Sequence, residues 1–171
     1  MGSSVRMNRF DTIFAIEFND CIRDLIYSQE VQKLQEFSQH FNTSRYQHSL
    51  NVAYHSYFLC KIFHFDYRSA ARAGLLHDLF FYDWREEKQP EGNHAFAHAA
   101  VALRNAGYLT ELNQIEADAI INHMWPLAKS MPKHRESYVV SLADKLCTIF
   151  EITEAFKNFF VNKYKGKQGQ N

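Results

Sequence analysis

The spacing of apolar residues is the strongest constraint on the fold. In long segments they recur every three to four positions, as on one face of a helix. Phe10, Phe14, Phe18, Cys21 and Leu25 show this spacing. The 171 residues include only three prolines and six glycines, so few helix breakers interrupt the pattern. Because helical spacing prevails over the alternating spacing of strands, the sequence predicts an all-α fold, a helical bundle.

The limits of the helices follow from this spacing and from residues that favour helix ends. Asn42, Thr43 or Ser44 can cap the third helix, and Asp66 can cap the fourth. We expect Gly107 to terminate the fifth helix and Thr110 to cap the sixth. The predicted helices cover about residues 10–27, 30–41, 45–63, 67–78, 94–105, 111–123 and 136–160.

The length and composition suit one domain. Hydrophobic residues make up 46% of the chain and aromatic residues 15%, which is enough for a sizeable core. We therefore expect residues 1–171 to form a single domain. Residues from about 162 to 171 have too few apolar side chains to pack, so we expect a disordered tail there.

Charge and hydropathy exclude some partners. Lys plus Arg and Asp plus Glu each number 19, so the net charge offers no field that would hold polymeric nucleic acid or an anionic membrane. The chain has no apolar run near the roughly 20 residues of a membrane span, and its first residues lack the apolar stretch of a secretory signal. We expect a cytoplasmic protein, and we expect its three dispersed cysteines to be reduced core residues.

Two carboxylates lie in apolar helical stretches. Asp78 follows the segment AGLL, and Asp144 follows YVVSLA. An unpaired carboxylate in such surroundings costs on the order of several kcal/mol. Neither aspartate has a Lys or Arg within the three preceding positions. We therefore expect another cation to neutralise both, and a divalent metal ion would do so.

Histidines in similar surroundings can complete a metal site. Neutral imidazoles bind a divalent ion without adding charge, and facing helices of a bundle can direct ligands inward. Nitrogen and oxygen ligands without thiolate favour iron or manganese over a structural zinc ion. The candidate ligands are His48, His77, Asp78, His98, His123 and Asp144.

Three short motifs that contain these residues resemble the HD-domain superfamily of metal-dependent phosphohydrolases. The segment RYQHSLNV at residues 45–52 is similar to the family's first motif, AGLLHD at residues 73–78 to its second, and LADK at residues 142–145 to its last. The resemblance implies a helical bundle of the HD-domain type, with a core from about residue 45 to 160 and a metal site between helices.

The resemblance also implies one or two bound divalent ions. Segments around His98 and His123 are similar to the additional histidine motifs of members that bind two metals, so we favour a binuclear site. His94 lies one helical turn before His98 and is a candidate either for direct ligation or for supporting a ligand. The implied ligands of the first ion are His48, His77, Asp78 and Asp144; those of the second are His98 and His123, with Asp78 bridging the two.

The reaction that the resemblance implies is hydrolysis of a phosphate ester or anhydride through metal-activated water. The substrate would be a nucleotide or another small phosphorylated metabolite. His77 and Asp78 are the implied catalytic pair. Two other functions remain open: a di-iron oxygenase on the same ligand frame, and a nucleotide-sensing module without catalysis. A homodimer through the first or last helix is a further expectation.

Three residues are candidates for substrate binding. Arg45 lies three positions before His48, on the same helical face, and can bind a phosphate through two parallel hydrogen bonds. A surface salt bridge is the alternative for this arginine. Trp125 follows a metal motif and can cover a pocket or stack on a base, and Lys129 lies in the same predicted loop.

Overall fold

The described parts of the chain contain seven α-helices, one 3-10 turn and two short strands. In the computed structural model these parts are residues 9–40, 43–82, 94–128 and 130–168, with side chains described for 13–39, 43–82, 97–128 and 130–158. The predicted all-α fold is confirmed. The helices are α1 (Arg9–Ile26), α2 (Gln29–Lys33), α3 (Arg45–Ile62), α4 (Tyr67–Leu76), α5 (His94–Leu109), α6 (Gln114–Asn122) and α7 (Arg135–Gln168), and the strands are β1 (Ser38–His40) and β2 (Thr43–Ser44).

Helix α4 lies at the centre of the bundle. Residues 69–76 are all buried, and the helix contacts α1, α3, α5, α6 and α7. Ala70, Ala71, Ala73 and Gly74 keep its surface small, so neighbouring helices approach closely. A Cβ atom added to Gly74 would lie 2.8 Å from the Cα atom of Ala53 in α3. This close packing fixes the end of α4, where His77 follows, against α3.

The predicted caps of α3 and α4 are present. The hydroxyl of Ser44 accepts a hydrogen bond from the backbone N–H of Gln47 at 3.2 Å. The carboxylate of Asp66 accepts one from the N–H of Ser69 at 3.0 Å. Each cap satisfies a backbone donor that the first turn of a helix leaves without an intrahelical partner.

The second predicted helix, residues 30–41, is too long. Helix α2 ends at Lys33, a 3-10 turn covers Leu34–Glu36, and the chain then becomes strand β1. Strand β1 pairs antiparallel with β2, and the carbonyl of Phe37 accepts a hydrogen bond from the N–H of Arg45 at 2.8 Å. These tertiary hydrogen bonds outweigh the helical preference of the local sequence.

The ends of α5 and α6 also differ from the prediction. Gly107 lies inside α5, and the N–H of Thr110 bonds to the carbonyl of Ala106, which closes that helix. The cap of α6 is Asn113, not Thr110. Asn113 and Glu116 bond to each other's backbone N–H at 2.8 and 3.0 Å, a reciprocal pair that satisfies two donors at once.

Helix α7 is longer than predicted. It continues through most of the expected tail to Gln168, and residues 169–171 lie outside the described residues. Residues 162–168 include three lysines, which favour helix. None of the helices in the described ranges combines the length and apolar character needed to cross a membrane.

Substitution of Gly74 tests the close approach of α4 to α3. We expect Gly74→Ala to lower the free energy of unfolding by about 1–3 kcal/mol, because the new methyl group would meet the α3 backbone. Gly107→Ala is the matched control: an added Cβ meets no atom within 4 Å, so stability should rise by up to about 1 kcal/mol. Urea unfolding of the metal-free proteins measures both, and equal effects would contradict the packing described.

Candidate metal centre

All six predicted ligands converge on one buried region. They form three overlapping groups, and within each group the candidate ligand atoms all lie within 4.8 Å of one another. Five helical elements contribute, because the residues come from α3, the end of α4, α5, the end of α6 and α7. The groups are His48, His77 and Asp78; His77, His123 and Asp144; and Asp78, His98 and His123.

The spacing of His98, His123 and Asp78 fits a shared ion. Oδ1 of Asp78 lies 3.5 Å from Nε2 of His98 and 3.6 Å from Nε2 of His123. The two Nε2 atoms are 2.8 Å apart. Two nitrogen ligands at the usual distance of about 2.0–2.1 Å from one ion are at most about 4.2 Å apart. The two imidazoles therefore stand as neighbouring ligands would.

The other oxygen of Asp78 faces the remaining ligands. Oδ2 of Asp78 lies 3.5 Å from Nε2 of His77, which is 3.7 Å from Oδ1 of Asp144. The same Asp144 oxygen is 3.0 Å from Nε2 of His48. Asp78 thus presents one oxygen to each of two sets of ligands.

His77 and His123 are oriented in the same way. Each is the residue at which its helix ends, α4 for His77 and α6 for His123. Nδ1 of His77 is 2.8 Å from the carbonyl of Gly74, and Nδ1 of His123 is 2.8 Å from the carbonyl of Ile120. Because a carbonyl only accepts hydrogen bonds, each Nδ1 carries the proton. Each Nε2 then offers its lone pair to the centre.

Two buried atoms at the centre make no hydrogen bond. Among the described residues, Nε2 of His77 and Oδ1 of Asp78 are enclosed and have no hydrogen-bond partner. A buried polar atom without a partner costs about 1–3 kcal/mol, so native structures satisfy nearly all of them. A divalent cation bound between these atoms would satisfy both. The residues present therefore fit a metal ion.

The charges at the centre also suit a cation. Burial by itself would raise the pKa of Asp78, but His77, His98 and His123 hold it well below its usual value. Burial would also raise the pKa of Asp144, but other groups, chiefly His48 through a hydrogen bond, hold it well below its usual value. Both carboxylates are therefore ionised at neutral pH. Burial lowers the pKa of His123 to about 3, so this imidazole is neutral and free to bind a metal.

His48 is held between two carboxylates. Nε2 lies 3.0 Å from Asp144, and Nδ1 lies 3.0 Å from Oε2 of Glu151. Burial would lower the pKa of His48, but hydrogen bonds to these two acids raise it to about 10. Without a metal, His48 is therefore an imidazolium at neutral pH. A metal at Nε2 takes the place of that proton.

The prediction from the sequence did not include two further residues at the centre, Glu151 and Gln39. Glu151 lies two helical turns after Asp144 on α7, and this spacing was the available signal. Gln39 lies on β1, where a helix was predicted, and its amide donates a hydrogen bond to Oδ2 of Asp78 at 2.6 Å. Gln39 in turn accepts one from Nε of Arg45 at 3.0 Å.

Arg45 is buried in the protein. Its Nη1 donates to the carbonyl of Phe80 at 2.6 Å and its Nη2 to that of Tyr82 at 3.3 Å, and its guanidinium lies over the Phe80 ring. Arg45 is fully buried, so it does not lie at the surface as the salt-bridge alternative supposed. Arg45 ties the segment after Asp78 to α3, and a contact with substrate remains a prediction.

Of the remaining candidates, only Trp125 has a described side chain. The ring of Trp125 is partly buried and packs edge-on against Tyr138, with the ring centres 5.2 Å apart. Lys129 lies outside the described residues. His94 begins α5, but the structure does not describe its side chain. Substrate binding by Trp125 and Lys129, and metal contact by His94, stay predictions.

Lys145 does not neutralise Asp144, the residue before it. Its ammonium group donates hydrogen bonds to the carbonyl and the hydroxyl of Ser141 at 3.1 and 2.8 Å, and to the carbonyl of His123 at 3.2 Å. Burial lowers the pKa of Lys145, although the Asp144 charge opposes this. The lysine thus ties α7 to the end of α6 and leaves Asp144 to the histidines.

These features define an all-α domain with a buried centre of histidines and aspartates that can hold metal. The family model of the HD domain matches residues 45–149, well over half of the chain, and the protein belongs to the HD-domain family. The resemblance stated from the sequence is therefore confirmed. Neither a curated protein nor a solved structure gave a significant match. The HD domain indicates the superfamily of metal-dependent phosphohydrolases.

Metal binding should depend on Asp78. We expect Mn²⁺ at about 100 times its dissociation constant to stabilise the unaltered protein by about 2.7 kcal/mol. Asp78→Asn should lose most of this stabilisation, because the amide removes the charge that faces both ligand sets. Asp20→Asn, at an exposed position on α1, should behave as the unaltered protein. Thermal unfolding with and without Mn²⁺, together with metal analysis, measures the effect; full stabilisation of Asp78→Asn would contradict the assignment.

Substitution of Arg45 separates a structural role from substrate binding. Arg45→Lys cannot reach both carbonyls and Gln39, so we expect a loss of about 1.5–3 kcal/mol in the free energy of unfolding. Arg23→Lys, at an exposed position, is the matched control and should be nearly neutral. Denaturant unfolding measures both. Unchanged stability together with a raised KM for a phosphorylated substrate would instead favour direct substrate binding.

Proposed function

We propose that the protein is a metal-dependent phosphohydrolase that cleaves a phosphate ester or anhydride bond. The observation that carries the proposal is the placement of Asp78, whose two oxygens face separate sets of imidazoles while Oδ1 makes no hydrogen bond among the described residues. The HD-domain match supports the same class of reaction. The proposed substrate is a nucleotide or another small phosphorylated metabolite.

The proposed site holds two divalent ions. His48, His77, Asp78 and Asp144 would bind the first, and His98, His123 and Asp78 the second. Nitrogen and oxygen donors without thiolate favour iron or manganese. When bound, such ions acidify water and stabilise negative charge on phosphoryl oxygens.

The charge balance of the site suits an anionic substrate. Among the proposed ligands, Asp78 and Asp144 contribute two negative charges and the imidazoles are neutral, and Glu151 adds a third negative charge beside His48, against four positive charges on two divalent ions. The remaining positive charge can attract phosphate groups even though the chain as a whole has no net charge. No residue of the chain needs to act as a covalent nucleophile.

The roles of the protein residues follow from their contacts. Asp78 is the residue that joins the two ligand sets, so its position decides how far apart they stand. The carbonyls of Gly74 and Ile120 keep Nδ1 of His77 and His123 protonated, which prevents either ring from turning its donor toward the centre. Gln39 and Arg45 hold Oδ2 of Asp78 from the side of β1.

Phosphate release from a substrate panel tests the proposal. The protein loaded with Mn²⁺ or, without oxygen, with Fe²⁺ should release phosphate from at least one nucleotide or phosphomonoester. We expect release to stop with a chelator and to return with metal. Asp78→Asn should lower kcat/KM at least about 100-fold, because loss of a residue that only supports a ligand already costs about 10–100-fold. Asp20→Asn should retain full activity.

Other outcomes would identify the alternatives. Consumption of dioxygen by the iron-loaded protein, without phosphate release across the panel, would contradict hydrolysis and favour a di-iron oxygenase. Tight nucleotide binding without turnover would favour a sensing module. Equal phosphate release by Asp78→Asn would show that the activity comes from another site or from a contaminant.

A further inference from the structure

Glu151 makes a distinctive contact with the metal centre. Both of its carboxylate oxygens lie within hydrogen-bond distance of Nδ1 of His48, at 3.2 and 3.0 Å. The amide of Asn51 donates to the same carboxylate at 3.2 Å. The side chain of Glu151 is only 9% exposed and that of His48 is fully buried, so water competes little with this hydrogen bond.

Two other histidines of the centre are held differently. His77 and His123 donate to the backbone carbonyls of Gly74 and Ile120, which are neutral acceptors. His48 donates to an ionisable side chain instead. A carboxylate that accepts the proton of an imidazole makes the opposite nitrogen a stronger ligand, and it also fixes the plane of the ring. The two ligand sets are therefore unequal.

Glu151 lies beyond the region that the HD-domain model matches. The HD-domain match ends at residue 149, whereas α7 continues and places Glu151 two turns beyond Asp144. Asp144 and Glu151 approach the two nitrogens of His48 from the same helix, at 3.0 Å each. One helix thus supplies a proposed ligand of the first ion and also the acceptor that orients another.

We propose that Glu151 is a positioning residue, which orients His48 and strengthens its binding to the first metal ion. The inference rests on the metal-binding part of the proposed function and not on the identity of the substrate. Glu151 is 103 residues from His48 in the chain, so the pairing exists only in the folded protein. Its effect should appear in the affinity for metal before any reaction takes place.

Titration with Co²⁺ alone tests the proposal. In Glu151→Gln, the amide oxygen can still accept a hydrogen bond, but the charge is lost. We expect affinity for the ion bound by His48 to fall about 10- to 100-fold, and the visible absorption bands of bound Co²⁺ to change. Glu151→Asp restores the charge and should recover part of the affinity. Far-UV circular dichroism and urea unfolding of the metal-free variants check that the fold persists.

Glu154→Gln is the matched control. Glu154 lies one turn further along α7, is exposed, and contacts Lys157 at 3.4 Å. Its loss removes the same charge from the same helix, so Co²⁺ affinity should stay within about twofold of the unaltered protein. If Glu151→Gln does not fold, Glu151→Asp compared with Glu154→Asp provides the test, with weaker binding expected only in the former.

The outcomes distinguish this inference from the proposed function. Co²⁺ binding by Glu151→Gln with unchanged affinity and spectrum would overturn the role of Glu151 and leave the metal centre intact. Equal weakening in the Glu151 and Glu154 variants would also overturn it, because the effect would then be one of general charge. Failure of the unaltered protein to bind Co²⁺, Mn²⁺ or Fe²⁺ would overturn the proposed function together with this inference.

Discussion

Negative charge in the interior is the constraint on which the rest of the structure depends. Asp78 and Asp144 lie in the interior of the bundle, and each is at most 9% exposed. Water cannot solvate these carboxylates there, so cationic or polar groups must be brought to them. The bundle does this with histidines from facing helices. The histidines that stabilise the buried carboxylates also form, together with them, a centre that can hold metal.

Packing and chemistry at the centre are therefore linked. Small residues on α4 let α3 approach, and this approach carries His48 to within 5.4 Å of His77, measured between ring centres. Bulkier residues on α4 would separate the two imidazoles. Arg45 holds the segment after Asp78 through backbone carbonyls, so the aspartate is fixed on both sides. Hydrogen bonds within the fold, rather than the ligands alone, decide where the coordinating atoms stand.

The sequence indicated the ligands better than the residues that support them. His77, Asp78 and Asp144 could be found because a polar residue inside an apolar helical run is a local signal. Gln39 could not, because its role depends on pairing between two short strands, and its own segment favoured a helix. Glu151 could not be distinguished from other acidic residues on a long helix, because its role depends on the packing of α3 against α7. Likewise Asn113, not Thr110, caps α6, because a reciprocal bond with Glu116 outweighs a single hydroxyl.

The main chain at the ends of α4 and α6 also contributes to the electrostatics of the centre. Both helices terminate at a histidine of the centre, so the carboxyl-terminal end of each lies beside that region. The aligned peptide dipoles of a helix place roughly half a negative elementary charge at this end. Two such ends add an electrostatic attraction for cations that does not come from any side chain. The backbone itself thus favours cations over anions there, however the surrounding residues vary.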